Sequence, residues 1–313
     1  MNFPTLTLAL IAKNEEKNIN RLLDSVEGCF DEIILVDTGS TDKTKEIAEQ
    51  RGCKVYDFEW VNSFCKARNF AFSKATQDYV MWLDLDDCLG NKEHFIQWKK
   101  TAMQFADCWF ATYHYALDKE GTPIISFVRE RVFKRSLDPK WQFDLHEGIV
   151  VKPEWSKDMV PSTVWTVNHM RDEEDVKADK SRNIKILEEL KEKEGLPTRL
   201  KFYYGKELYE NNQVNKAIYA FEEALKCDDL EFHDKLLSYQ YAAYSAFQTA
   251  QTIKDEARHE KISFIDKALN FGIEGLKLDP NRAELHVSCG DCYLLKGDIA
   301  RAIPCLLYTS DAA

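Results

Sequence analysis

Two aspartates spaced one residue apart follow an apolar run in Trp82-Leu83-Asp84-Leu85-Asp86-Asp87. Alternate residues of an extended chain point the same way, so Asp84 and Asp86 face one cleft while Leu83 and Leu85 face the core. Two carboxylates on one face repel unless a cation sits between them. Oxygen ligands without thiolates suit Mg2+ or Mn2+, with substrate phosphates completing the shell. A turn or cap after a strand is the plainer use of the same residues. A further acid, Asp37, precedes Thr38-Gly39-Ser40-Thr41-Asp42. An acid in that place can accept hydrogen bonds from a ribose or a base N–H. Ser40 and Thr41 then open a helix whose amino end favours negative charge. The first polar cluster, Lys13-Asn14-Glu15-Glu16, holds no glycine. Neither the dinucleotide-binding fingerprint nor a P-loop is present, which argues against a nicotinamide dehydrogenase and a P-loop NTPase.

These clusters need elements to aim them. Thr5–Ala12, Glu32–Asp37 and Tyr79–Asp84 are short, largely apolar runs suited to buried strands, and Lys54–Phe58 reads as a short further strand. Between them, Ile19, Leu22, Leu23 and Val26 form one helical stripe, and Phe64, Ala67, Ala71 and Ala75 another. Thr41–Arg51 suits a helix with Ser40 as N-cap. Alternation of this kind predicts an α/β domain with a mostly parallel, Rossmann-like sheet. Ligands of such sheets bind at the carboxyl ends of strands, where all three polar clusters fall. Trp109–Tyr115 and Phe127–Phe133 read as a hairpin about Asp118–Gly121, with extended pieces at Trp141–Val151 and Thr163–His169.

From Glu173 the composition turns to charged helix formers. Gly205, Ala217, Phe221 and Ala224 are spaced 12, 4 and 3, and Gly290 to Ala302 is again 12. Ala268, Gly272, Gly275 and Pro280 close a middle unit that carries an insertion near Thr249–Glu260. The pattern resembles tetratricopeptide repeats of about 34 residues, in which small residues let antiparallel helices approach; a generic helical bundle is the alternative. The expected division is 1–170 catalytic domain, 171–198 helical linker, 199–304 repeats and 305–313 a non-native tail resembling adapter read-through. The natural C-terminus is then expected to be missing. Cys289 and Cys292 have C-x-x-C spacing but no second pair, and read as packing residues.

The chain has 313 residues, 42 Lys and Arg against 53 Asp and Glu, and a formal charge of −11. Neither half is basic, so no nucleic-acid partner is expected. Nine cysteines without framework spacing point to a reducing compartment. The first apolar run has no basic flank or cleavage site and reads as a buried strand. No transmembrane segment is expected, and the location is read as cytoplasmic.

Four motifs in order, LIAKNEE, VDTGSTDKT, FCKARNFA and WLDLDD, resemble the family 2 glycosyltransferases of the GT-A fold. With helical repeats appended, the chain is similar to bacterial family 2 enzymes that glycosylate peptides, proteins or cell-surface polymers. The resemblance implies a nucleotide-diphosphate-sugar donor, with UDP as default and GDP as alternative. It also implies Mg2+ or Mn2+ and inversion at the anomeric carbon. Carried over by position, it implies that Asn14 and Glu15 line the nucleoside pocket, that Asp37 contacts the base, and that Arg68 with Asn69 lies near the nucleoside. Asp84 touches ribose or a metal-bound water, and Asp86 is the principal metal ligand. Inverting transfer needs a base on the acceptor side. Glu147 in Phe143-Asp144-Leu145-His146-Glu147 is that candidate, with Asp144 as the alternative and His146 as a metal or phosphate partner. Arg131 and Arg135 share strand parity and are expected to meet the leaving diphosphate. The acceptor is expected to be a peptide, protein or glycan, held by the helical repeats. A nucleotidyltransferase and a catalytically inactive repeat scaffold are the rival readings. The first lacks its Gly-rich triphosphate loop, and the intact Asp37, Asp84 and Asp86 argue against the second.

Overall fold

The computed structural model describes residues 3–170 and 173–310. The chain divides into two compact units, Met1–Asp175 and Val176–Ala313. The first opens with β1 (Leu6–Ala12), α1 (Ile19–Ser25), β2 (Glu32–Asp37), α2 (Thr44–Gln50), β3 (Lys54–Asp57), α3 (Phe64–Lys74) and β4 (Tyr79–Trp82). It continues through β5 (Asp87–Gly90), α4 (Lys92–Thr101), β6 (Cys108–Leu117), β7 (Pro123–Lys134), β8 (Trp141–Gln142), β9 (Gly148–Ile149), β10 (Lys157–Met159) and β11 (Thr166–His169).

Nine strands form one sheet in the order β3-β2-β1-β4-β7-β6-β11-β5, with β10 beside β6; β8 and β9 pair separately. Strands β1 to β4 are mutually parallel, whereas β7 runs antiparallel to both β4 and β6. The continuous apolar runs are explained by burial on both faces. Leu6, Leu8, Leu10, Leu35 and Met81 pack into one core with Ile19, Leu22 and Phe95. Ala9, Ile34, Val36, Val80 and Trp82 pack into another with Ala71 and Trp141.

Three local readings differ from the sequence expectation. Helix α2 starts at Thr44, because the Asp42 carboxylate accepts from the Thr44 N–H (3.0 Å) and hydroxyl. Ser40 is therefore not its cap. Strand β4 stops at Trp82, and the chain turns there, with the Asp87 N–H donating to the Asp84 carbonyl (3.0 Å). Leu83 and Leu85 are nonetheless buried. The chain then reverses into β5, which pairs antiparallel with β11 so that Asp87 lies opposite His169. A further strand at this position was not anticipated.

The second unit contains α5 (Glu173–Glu194), α6 (Thr198–Glu210), α7 (Val214–Leu225), α8 (Phe232–Thr252), α9 (Arg258–Leu278), α10 (Ala283–Leu295) and α11 (Ile299–Ser310). Its small residues are seams between neighbouring helices. A Cβ at Gly205 would lie 2.7 Å from the Phe221 ring, and one at Gly272 would lie 2.5 Å from the Cys289 sulfur. At Gly275 and Gly290 a Cβ would meet Leu285 and Leu306. The insertion of the middle unit is taken up largely as helix, α8 and α9 each running to 21 residues against 13 and 12 for α6 and α7, with residues 253–257 joining them. Cys289 and Cys292 are buried, and burial pushes both thiols up to about 12, as packing residues require. Most of the stretch expected as a linker is α5. Of the expected tail, 305–310 continue α11 and 311–313 lie outside the described residues.

Candidate active site

The loops after β1 and β2 are sewn into one rim. Asn14, in the left-handed region at φ 57°, accepts from the Thr41 N–H through its side-chain oxygen (2.7 Å). Its own N–H donates to the Ser40 hydroxyl (2.9 Å), and the Glu15 N–H donates to the Thr44 hydroxyl (2.7 Å). At the end of β2, Asp37 is buried, and its Oδ2 accepts from the Gly39 and Ser40 N–H groups (3.1 and 3.0 Å). Gly39 at φ 103° allows this turn. The other oxygen, Oδ1, is buried without a hydrogen-bond partner. A buried carboxylate oxygen in that state is an acceptor awaiting a donor.

Beyond β4 two buried arginines take up three carboxylates. Arg68 on α3 donates through Nη2 to Asp84 (2.6 Å) and through Nε to Glu147 (2.6 Å). Its guanidinium lies near the Trp82 and Trp141 rings, at 5.1 and 4.8 Å. Burial works to raise the Asp84 carboxyl, but Arg68 overcomes it and holds the group below the ordinary range. Arg131 on β7 pairs with Asp87 (3.4 Å), and both side chains are fully buried. It is pressed between the Trp82 and Tyr113 rings, at 3.9 and 4.5 Å. Asp87 Oδ2 also accepts from the Asp84 N–H (3.1 Å), and Asp87 Oδ1 from the Tyr113 hydroxyl (3.0 Å).

No arginine among the described residues pairs with Asp86. Among the described residues the one cationic side chain in ion-pair range of it is His169, at 3.7 Å. Burial, helped by Asp84 and Asp87 and opposed by His169, pushes the Asp86 carboxyl up to about 7. Burial tends to lower His169, but hydrogen bonding to Asp87 and the charge of Asp86 raise it. Asp86, Asp87 and His169 bring ligand atoms within 4.8 Å of one another. One nitrogen and several carboxylate oxygens with a deficit of positive charge fit a hard divalent cation.

The structure thus gathers Asp84, Arg68 and Glu147 in one group and sets Asp86 against His169. Asp37, Asn14 and Glu15 line the neighbouring strand ends. Asp144 lies half-buried beside α3, its carbonyl accepting from the Phe64 N–H (2.9 Å). His146 is not one of the three grouped ligands. Arg131 does not reach an open cleft, being enclosed by two rings. Arg135 lies past the pairing of Lys134 with Tyr79, at the amino end of β4, where it donates to the Gln77 carbonyl. The expected parity fails because β7 shifts register near Arg131 and ends at Lys134. Asp87, Tyr113 and His169 were not singled out from the sequence. A histidine closing a strand was the available signal, but its partner depended on the β5–β11 pairing.

Residues 7–122 match the glycosyl transferase family 2 model. A helical unit follows the matched region in the chain. The chain is similar to the SPbeta prophage-derived glycosyltransferase SunS of Bacillus subtilis (strain 168), with 29% identity over 230 residues, 69% of this chain and 52% of that one. The chain therefore spans about half the length of the SunS relatives it matches. It is 39% identical over 82 residues to a TPR repeat-containing protein of Synechococcus elongatus, covering 26% of this chain and 20% of that one. Among solved structures, S. aureus TarS 1-349 in complex with UDP-GlcNAc aligns over 98% of this chain and 92% of that one, at 16% identity and a TM-score of 0.40.

Proposed function

We propose that the protein transfers a sugar from a nucleotide-diphosphate sugar, with UDP as the nucleotide, to a peptide, protein or glycan acceptor, inverting the anomeric carbon. The observation that carries this is the group of Asp86, Asp87 and His169 at the carboxyl end of β4, in a chain whose residues 7–122 match the family 2 model. Asp86 and His169, with Asp87 behind them, would hold Mg2+ or Mn2+. When bound, the ion supplies positive charge to the leaving diphosphate. Asp37 accepts a base N–H on its open oxygen, and the joined rim of Asn14 and Glu15 borders the nucleoside. Glu147 takes the acceptor proton through a carboxylate that Arg68 holds in place, with Asp144 as the alternative base. The acceptor atom bonds to C1 as the C1–oxygen bond to the diphosphate breaks, and the electron pair leaves with the nucleotide. Orientation of the two reactants supplies much of the rate. The helical unit is the acceptor-holding part in this reading, supported by its stacked pairs with tight glycine seams.

The test is nucleotide release from a panel of UDP- and GDP-sugars with Mn2+. The intact protein should release nucleotide from at least one donor, and Asp86→Asn should lose about 100-fold or more. Near-normal release by that variant would remove the cation from the reading.

A further inference from the structure

We infer that Arg68 is a positioning residue that holds the acceptor-side carboxylate Glu147 in register with the donor-side carboxylate Asp84, and is not a nucleotide contact. The inference rests on the glycosyl-transfer reading and deepens it.

Three observations carry it. First, the guanidinium is buried and already bound to both carboxylates. Its Nε and Nη2 each hold a carboxylate at 2.6 Å. Side-chain exposure rises from 7% at Arg68 to 13% at Glu147 and 34% at Asp84. The cation therefore lies behind and the carboxylates lie in front.

Second, the two carboxylates belong to segments with no covalent reason to be in register. Asp84 follows β4, and Glu147 precedes β9. A planar guanidinium offers donors in fixed directions, so one side chain sets both distances at once. A lysine ammonium on its flexible stem keeps the charge without that geometry.

Third, α3 is stitched to the segment that carries Glu147. The Asn69 side chain accepts from the Trp141 N–H (2.9 Å) and donates to the Trp141 carbonyl (3.0 Å). The Cys65 thiol meets the same carbonyl (3.0 Å), and the Phe64 N–H donates to Asp144 (2.9 Å). Ser63 caps the helix by accepting from the Lys66 N–H (3.1 Å). α3 thus acts as a spine between the β4 end and residues 141–147, and Arg68 is its contact with both carboxylates.

The experiment compares Arg68→Lys, Glu147→Gln and the double variant by two readouts. One is calorimetric affinity for UDP with MnCl2. The other is steady-state release of UDP from the sugar nucleotide that the intact protein turns over. A positioning role predicts that Arg68→Lys lowers kcat about 100-fold, the size of effect a misplaced catalytic group produces. UDP affinity and donor KM should stay within about threefold. In the Glu147→Gln background, Arg68→Lys should cost nothing further, because it acts through the group already lost. A fall in UDP affinity that matches the fall in kcat, or losses that multiply in the double variant, would overturn the inference in favour of direct nucleotide contact. Should Arg68→Lys fail to fold by circular dichroism, Asn69→Ala carries the same comparison. It removes the two hydrogen bonds between Asn69 and Trp141, loosening the 141–147 segment, while leaving the side chains of Arg68, Asp84 and Glu147 unaltered. Turnover about tenfold lower at unchanged UDP affinity supports the role, and unchanged turnover refutes it. If the intact protein releases no nucleotide from any donor, the glycosyl-transfer reading itself has failed and the inference falls with it.

Discussion

At the residue scale, the site is a problem of allotting few cations to many carboxylates. Asp84, Glu147 and Asp87 are provided for by two buried arginines, while Asp86, among the described residues, is faced by a histidine. Breaking a buried pair by removing one partner strands the other charge, so both arginines are also structural. Asp37 poses the opposite problem, an acceptor oxygen with nothing to accept from. Asp37→Asn keeps an oxygen for the Gly39 and Ser40 N–H groups but turns the open oxygen into a donor. A hydrogen bond to a charged group is worth about 1.5–3 kcal/mol. UDP affinity should therefore fall about tenfold or more, measured by calorimetry, while the melting temperature of the free protein holds or rises. Unchanged affinity would show that no base N–H meets that oxygen. Which aspartate lacks an arginine could not be read from Asp84, Asp86 and Asp87 as letters, since the three are chemically alike.

Elements present these residues, and the boundaries matter where the chain turns. Period and apolarity sufficed for β1, β2, α1 and α3, because each is held by burial of its own side chains, and for β3, whose Val55 and Tyr56 are partly buried. They did not suffice for β5, which depends on β11, about 80 residues later. The strands are also joined by a buried charge. Glu32 on β2 accepts from Thr7 on β1 (2.6 Å), from Lys54 on β3 (2.6 Å), and from the Thr76 N–H and hydroxyl before β4 (both 2.9 Å). Burial alone would raise its carboxyl, but these donors lower it from 4.5 to about 2. Between those values the unfolded chain binds a proton that the folded chain does not, so stability is lost as pH falls from 4.5 toward 2. Glu32→Gln should be less stable at neutral pH and should show a shallower loss across that window in denaturant titrations. Equal slopes for variant and parent would disprove the assignment of the acid sensitivity to Glu32.

For the whole molecule, ligand binding must appear as stability. A ligand present at 100 times its Kd and bound only to the folded state adds about 2.7 kcal/mol. UDP with Mn2+ should therefore raise a thermal unfolding transition, a chelator should remove the metal-dependent part, and Asp86→Asn should never show it. A metal-dependent rise of equal size in Asp86→Asn would move the cation elsewhere. No helix among the described residues is long and apolar enough to cross a membrane. The order of short apolar runs, the acids that close them, and the small residues at helical seams were all legible in sequence. Each follows from periodicity or from the space one side chain leaves its neighbour. Tertiary structure alone decided that Arg68 faces both Asp84 and Glu147, that Arg131 is enclosed rather than open, and that His169 stands beside Asp86. Those pairings join segments far apart in the chain. They depend on strand order, a register shift and ring packing, none of which has a local signature.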